Sequence, residues 1–185
     1  MELEGLLKRG MIYRKSELEA VIDLDKGDLQ KLVDNGSLDK IANDLYYYPK
    51  LSVFGNVPPN ANDLLSKYLN YEPFLITSLN HYNNLGVGTT QLYNVTLVYN
   101  KRLSGKRKLG KKVYHFKKKK DFPTKLSLEY LLVDLINNLQ ILEEDQDQIL
   151  NRVRLKITKM ASQSFDIVLN KYGTSRTKRL LKKCK

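Results

Sequence analysis

The sequence predicts an α+β protein. Three observations point there: apolar residues at helical spacing up to Val33, two short extended runs divided by Asn43-Asp44 directly after them, and a second half in which extended runs give way to a leucine stripe.

Leu3, Leu6 and Leu7 fall on one face of a helix over residues 2–9, and Gly10 stands where that helix would stop. Ser16 and Glu19 have the spacing of a capping box, in which each side chain satisfies a free backbone N–H, so a second helix is expected from there to about Ile22. After Asp23-Leu24, Asp25 is positioned to cap a third helix that buries Leu29, Leu32 and Val33, with Leu24 and Leu29 spaced as a hydrophobic staple, and Asn35-Gly36 ends it. Two helices joined by so short a turn must cross steeply to pack their apolar stripes, which is helix-turn-helix geometry. Residues 37–42 and 45–48 then form a hairpin across Asn43-Asp44, both tolerant of positive φ, and Pro49 ends the pairing because it has no N–H. Three helices and a hairpin in fifty residues are the order of a winged helix-turn-helix; a small α+β lobe used for protein contacts would look similar.

Gly55, Pro58 and Pro59 read as a linker, giving domains 1–54 and 55–185. Beyond it, a helix over 61–69 buries Leu64, Leu65, Tyr68 and Leu69, residues 74–77 are extended, and Ser78 caps a helix that Gly86 and Gly88 break. Residues 91–99 and 112–117 read as strands, with 101–109 a basic hairpin or third short strand between them. Leu128, Leu131, Leu132, Leu135 and Leu139 form an amphipathic stripe, and helices follow over 148–156, 162–171 and 176–182. The expected fold is therefore an N-terminal winged helix-turn-helix followed by a mixed domain with a small antiparallel or mixed sheet and C-terminal helices.

Composition narrows the function. The apolar runs fall well short of the roughly 20 residues needed to span a bilayer. The N-terminal Met1-Glu2-Leu3-Glu4 is acidic where a secretory signal would be basic, so a cytoplasmic protein without a membrane partner is expected. The single cysteine, Cys184, offers neither a disulfide framework nor a thiolate metal set. The net charge of +12 favours polyanionic partners, and its distribution is uneven. Residues 1–52 hold 8 Lys+Arg against 10 Asp+Glu, whereas residues 101–120 hold 11 against none.

Those eleven are Lys101, Arg102, Lys106, Arg107, Lys108, Lys111, Lys112, Lys117, Lys118, Lys119 and Lys120, interleaved with Tyr114, His115 and Phe116. They have the composition of a phosphate-binding surface, whose affinity falls steeply with salt because each neutralised phosphate releases counterions. Self-repulsion argues against a merely solvated loop. On the third helix, Lys26, Gln30 and Lys31 face outward; Gln30 suits an adenine edge and Lys31 a guanine or phosphate. Lys40 of the hairpin joins them. Tyr46 and Tyr48 stand opposite Leu45 and Tyr47, so one pair packs on the core and the other meets DNA; Tyr46 and Tyr48 are counted as candidate contacts.

Catalytic patterns are weak. His81 and His115 have no neighbouring ligand cluster, Gly86-Val87-Gly88-Thr89-Thr90 lacks the lysine and spacing of a phosphate loop, and the carboxylates of 143–147 suit the start of a helix. No enzymatic activity, cofactor or metal is expected.

Residues 38–50, ending in Leu45-Tyr46-Tyr47-Tyr48-Pro49-Lys50, the Gly55–Pro59 connector and the 78–88 segment ahead of a strand resemble AbiEi-type antitoxins of bacterial abortive-infection systems. Phe122-Pro123-Thr124 leading into 126–135, and Tyr172-Gly173-Thr174 before 176–181, are similar to the same group. The resemblance implies the antitoxin of a type IV toxin-antitoxin system: a winged-helix autorepressor that binds duplex DNA at inverted repeats in its own promoter. It also implies a neighbouring gene for a nucleotidyltransferase-type toxin. The competing expectation is an RNA-binding or ribosome-associated basic protein, in which the lysine clusters and their aromatics meet structured RNA.

Overall fold

The computed structural model describes Leu3 and residues 5–22, 27–160 and 162–182. The fold is α+β, with small sheets and short helices in two compact units. Unit 1 comprises residues 1–73 and Lys106–Tyr114; unit 2 comprises Phe74–Gly105 and the chain from His115 onward. The expected boundary after residue 54 thus falls inside unit 1, and part of the basic stretch returns to that unit.

Unit 1 opens differently from expectation. No helix occupies residues 5–10, which form turns, with Leu7 N–H bonded to Leu3 C=O at 2.9 Å. Strand β1 (Ile12–Arg14) follows and pairs antiparallel with the last strand of the hairpin, Ile12 facing Tyr47. Helix α1 (Lys15–Val21) starts one residue before the expected cap: Glu17, not Glu19, accepts from the backbone N–H of Arg14 at 2.8 Å, which displaces the Ser16 box. Helix α2 (Asp28–Asp34) starts at Gly27 in the left-handed region; Asp25, its expected cap, lies outside the described residues.

The hairpin is as expected: β2 (Asp39–Ala42) and β3 (Leu45–Tyr47) pair antiparallel across Asn43-Asp44, giving a sheet ordered β1-β3-β2. Its register slips between Lys40 and Ala42, leaving Ile41 as the extra residue of a bulge. Leu3, Leu7, Leu18, Ile22, Leu32, Leu38, Tyr46 and Tyr48 form one core of this unit.

The supposed linker is a second hairpin, β4 (Lys50–Ser52) with β5 (Gly55–Val57). Tyr47, 2% exposed, donates its hydroxyl to Val57 C=O at 2.8 Å and fixes the end of that hairpin. Helix α3 (Ala61–Tyr68), capped by Asn60, belongs to unit 1 because its end is tied back to β1 and α1. Lys67 Nζ lies 2.5 Å from Glu17 Oε2, and the Arg14 guanidinium donates to Lys67 C=O and, at 2.5 Å, to Asn70 Oδ1.

In unit 2, β6 (Phe74–Thr77) pairs antiparallel with β7 (Thr96–Asn100), and a 3-10 helix (Leu79–Leu85) capped by Ser78 ends at Gly86, φ +64. The sheet order is β6-β7-β9-β8, with β8 (Gly105–Leu109) and β9 (Lys112–Lys118) contributing Gly105 and residues 115–118 to this unit and residues 106–109 and 112–114 to unit 1. Helix α4 (Leu128–Asn137), capped by Ser127, is the centre of the unit's core and packs on the 3-10 helix and on α6 (Ser162–Tyr172) and α7 (Ser175–Lys182). Between them runs α5 (Gln146–Thr158), whose N-cap is Asp145, so that member of the carboxylate run satisfies the Gln148 N–H at 2.9 Å. No helix among the described residues is long and apolar enough to cross a membrane.

Candidate nucleic-acid interface

The basic stretch divides by strand alternation. Successive residues of an extended chain point to opposite faces, and the run 117–120 obeys this: Lys118 and Lys120 are exposed, while Lys117 and Lys119 turn inward. Lys119 Nζ lies 2.6 Å from Asp134 Oδ1 on α4, and Lys117 Nζ donates to Asn138 Oδ1 at 2.7 Å. Asp134 is fully buried and its other oxygen accepts from the hydroxyls of Tyr82 and Tyr99, both at 2.8 Å. Asn138 Nδ2 donates to both hydroxyls, at 2.9 and 3.0 Å, so the cluster is closed on itself. Lys119 also sits 3.6 Å from the centre of the Tyr99 ring. Burial lowers the Lys117 pKa from its ordinary value, against the pull of Asp134 and with the help of Lys119. Two of the eleven expected phosphate contacts are therefore turned into unit 2, Lys119 as the counter-charge of Asp134 and Lys117 as a donor to the Asn138 amide, which corrects the expectation for Lys117 and Lys119.

The remaining nine, Lys101, Arg102, Lys106, Arg107, Lys108, Lys111, Lys112, Lys118 and Lys120, are exposed. Five of them stand on Lys106–Tyr114, which is part of unit 1. Leu109 and Tyr114 anchor that segment, at 3% and 2% exposure, and Lys112 lies over the Tyr114 ring at 5.5 Å. A backbone bond ties the turn to β2: Gly110, φ +58, donates its N–H to the carbonyl of Ile41 at 2.9 Å. The bulge in β2 frees that carbonyl from the ladder, so the irregularity and the docking of the basic turn are one feature. Residues 1–73 carry 9 Lys+Arg against 12 Asp+Glu, and Lys106–Tyr114 adds five cations with no acid, turning a slightly acidic unit into a slightly basic one.

The expected contacts on α2 and its hairpin fare unevenly. Gln30 and Lys31 are exposed, but each is engaged within the helix, Gln30 Nε2 with Asp34 Oδ1 and Lys31 Nζ with Asp28 Oδ1, both at 2.7 Å. Exposed pairs of this kind are worth a few tenths of a kcal/mol, about 0.2–0.5, and yield readily to a stronger anion. Lys40 is exposed. Lys26 lies outside the described residues. Tyr46 and Tyr48 are corrected: both are core residues, 5% and 3% exposed, and Leu45 and Tyr47 are buried too. The hairpin has no solvent-facing aromatic pair because β3 is the central strand of its sheet and is covered on both faces.

A cleft of about 480 Å³ in unit 1 runs between the two supports of this surface. Lys40 and Ile41 of β2, Asn56 and Val57 of β5, and Lys111 and Lys112 of the basic turn line it, over Leu64, Leu109 and Tyr114. Among the described residues no group of three or more His, Cys, Asp or Glu side chains is arranged to hold a metal ion. His81 Nδ1 accepts from the Ser78 backbone N–H at 3.3 Å and is engaged with the Thr77 hydroxyl, a local capping role.

No family model, no curated protein and no solved structure matches this chain.

Proposed function

We propose that the chain is a DNA-binding regulator in which unit 1 is a winged helix-turn-helix. The order β1, α1, α2, β2, β3 with the sheet order β1-β3-β2 supports that reading, with α2 as recognition helix and the β2–β3 hairpin as wing. The observation that carries it is the Gly110–Ile41 bond, by which the lysine-rich turn of β8–β9 is fastened to the hairpin of the same unit. An acidic helix-turn-helix would repel a phosphate backbone; five exposed cations on an anchored turn reverse the sign. On this reading Gln30 and Lys31 supply base contacts at the helix, and Lys40, Lys106, Arg107, Lys108, Lys111 and Lys112 supply affinity without sequence readout.

The resemblance to AbiEi-type antitoxins adds the physiological setting: repression of its own promoter, a cytoplasmic location, and a companion nucleotidyltransferase toxin, with no catalysis by this chain. The test is fluorescence anisotropy on a duplex carrying the sequence upstream of its own coding region, against scrambled duplex and structured RNA. Tighter binding of the upstream duplex, weakening steeply with salt, is expected. Preference for structured RNA would assign the cationic surface to an RNA partner, and equal weak binding to all three would reduce it to a nonspecific polycation.

A further inference from the structure

The β4–β5 hairpin ends in an aromatic tip that nothing in the fold explains. Val53 and Phe54 form its turn and are 94% and 98% exposed, and Leu51 on the adjoining strand is 60% exposed. Turn tips are ordinarily built from Gly, Asn, Asp, Pro or Ser, each for a backbone reason. Here that work falls to the flanking residues: Gly55 takes φ +99, and Ser52 Oγ both donates to Gly55 C=O at 2.8 Å and accepts from Phe54 N–H at 3.2 Å. The turn would close with polar residues in the two central positions. The far end of the hairpin is fixed by Tyr47 through Val57, so the tip is held out on a braced stem. A Phe side chain stabilises a fold by leaving water, a gain that this one does not realise within the chain.

The surroundings indicate what it meets. Asn56 and Val57 of the same hairpin line one cleft with Lys111 and Lys112 of the basic turn. Phe54 is two residues from Asn56, roughly 7 Å along an extended strand. An exposed aromatic edge beside cations matches a ligand that offers phosphates next to the flat faces of bases, and apolar wedges of this kind enter duplex DNA between base steps from the minor groove. We infer that Phe54 is such a wedge, inserting between base pairs of bound duplex DNA while Lys111 and Lys112 hold the neighbouring phosphates. The inference rests on the DNA-binding reading above and deepens it.

The test uses the full chain and the upstream duplex with 2-aminopurine substituted at successive positions, read by fluorescence, with affinity and salt dependence measured in parallel. Since Phe54 touches no core, Phe54→Ala should fold as the parent. The wild-type protein should raise fluorescence at one step, and Phe54→Ala should abolish that rise and weaken binding on the order of tenfold. The salt slope should stay the same, and Phe54→Leu should restore part of the signal. Equal affinity of wild type and Phe54→Ala with no unstacked position would overturn the wedge and leave the DNA-binding reading standing. A change in solution mass on Phe54→Ala, without effect on DNA, would overturn it in favour of a protein contact. Failure of both proteins to bind any duplex would overturn the DNA-binding reading itself, and the wedge with it.

Discussion

Lys119 Nζ sits 2.6 Å from Asp134 Oδ1, with the carboxylate fully enclosed and the lysine side chain 22% exposed. The pair joins the end of β9 to α4, and the hydroxyls of Tyr82 and Tyr99 complete the coordination of the carboxylate. Removing one partner of a buried pair leaves an uncompensated charge and costs about 3–5 kcal/mol, a large part of the roughly 5–15 kcal/mol typical of a domain. Asp134→Leu and Lys119→Met should each lower the urea midpoint of unit 2 accordingly, while the Asp134→Leu/Lys119→Met double variant should lose less than the sum. Single variants within about 1 kcal/mol of the parent would show that the cluster adds nothing to stability.

The same cluster sets an alkaline limit. Burial first, and then the charge of Asp134, raise the phenol pKa of Tyr82 and Tyr99 well above the ordinary value of 10.0. A folded pKa above the unfolded one means that the folded chain holds protons which the unfolded chain releases. That stability is complete below about pH 10 and is lost as pH rises further. Phenolate absorbance should therefore show a late phase, from the buried pair, that appears only with loss of the fold. A single phase with an ordinary midpoint, in a chain still folded, would contradict this.

In unit 1 the acid limit rests on Glu17. Burial would raise its carboxyl, but the bond from Lys67, the Arg14 backbone N–H and the charges of both residues outweigh that and hold it below its ordinary value of 4.5. A depressed folded pKa contributes stability above about pH 4.5 that is lost as pH falls through the folded value. Hydrogen exchange in β1 and α3 should accelerate in that window, and Glu17→Gln should be destabilised at neutral pH but lack the acid dependence. Identical acid profiles for the two proteins would contradict the role given to Glu17.

Gly110→Pro deletes the N–H that reaches Ile41 and, because proline cannot adopt φ +58, breaks the turn itself while leaving every charge in place. If the anchored geometry of the turn matters, affinity for duplex DNA should fall severalfold at unchanged net charge, measured by anisotropy at low salt. Unaltered affinity would mean that the turn acts as a loose polycation.

Much of this architecture is legible in the sequence. Strand β6, the β2–β3 hairpin, α3 and the C-terminal helices follow from alternation, leucine spacing and caps that the chain carries locally. The misses have physical causes. Residues 5–10 have helical spacing but too little length to nucleate a helix, and Ile12-Tyr13 is too short a run to read as a strand until β3 is there to pair it. Ser52 and Gly55 form a turn signature that the following prolines disguise as a linker. At the site, local composition cannot separate Lys117 and Lys119 from Lys118 and Lys120; that division depends on Asp134 and Asn138, which reach the sheet only once α4 packs on it. One signal is present: Asp134 falls four residues from both Tyr130 and Asn138, a polar line along one face of a largely apolar helix.

The role of the basic turn is tested most directly by the salt dependence of duplex binding in two sets of variants. Neutralising Lys106, Arg107, Lys108, Lys111 and Lys112 to Gln should lower the slope of log affinity against log salt by about 0.9 for each phosphate that the turn no longer neutralises. Gln30→Ala/Lys31→Ala should reduce discrimination between the upstream and scrambled duplexes with a smaller change in slope. A slope untouched by the five neutralisations would contradict the claim that the turn anchored on Ile41 supplies the affinity of this protein for DNA.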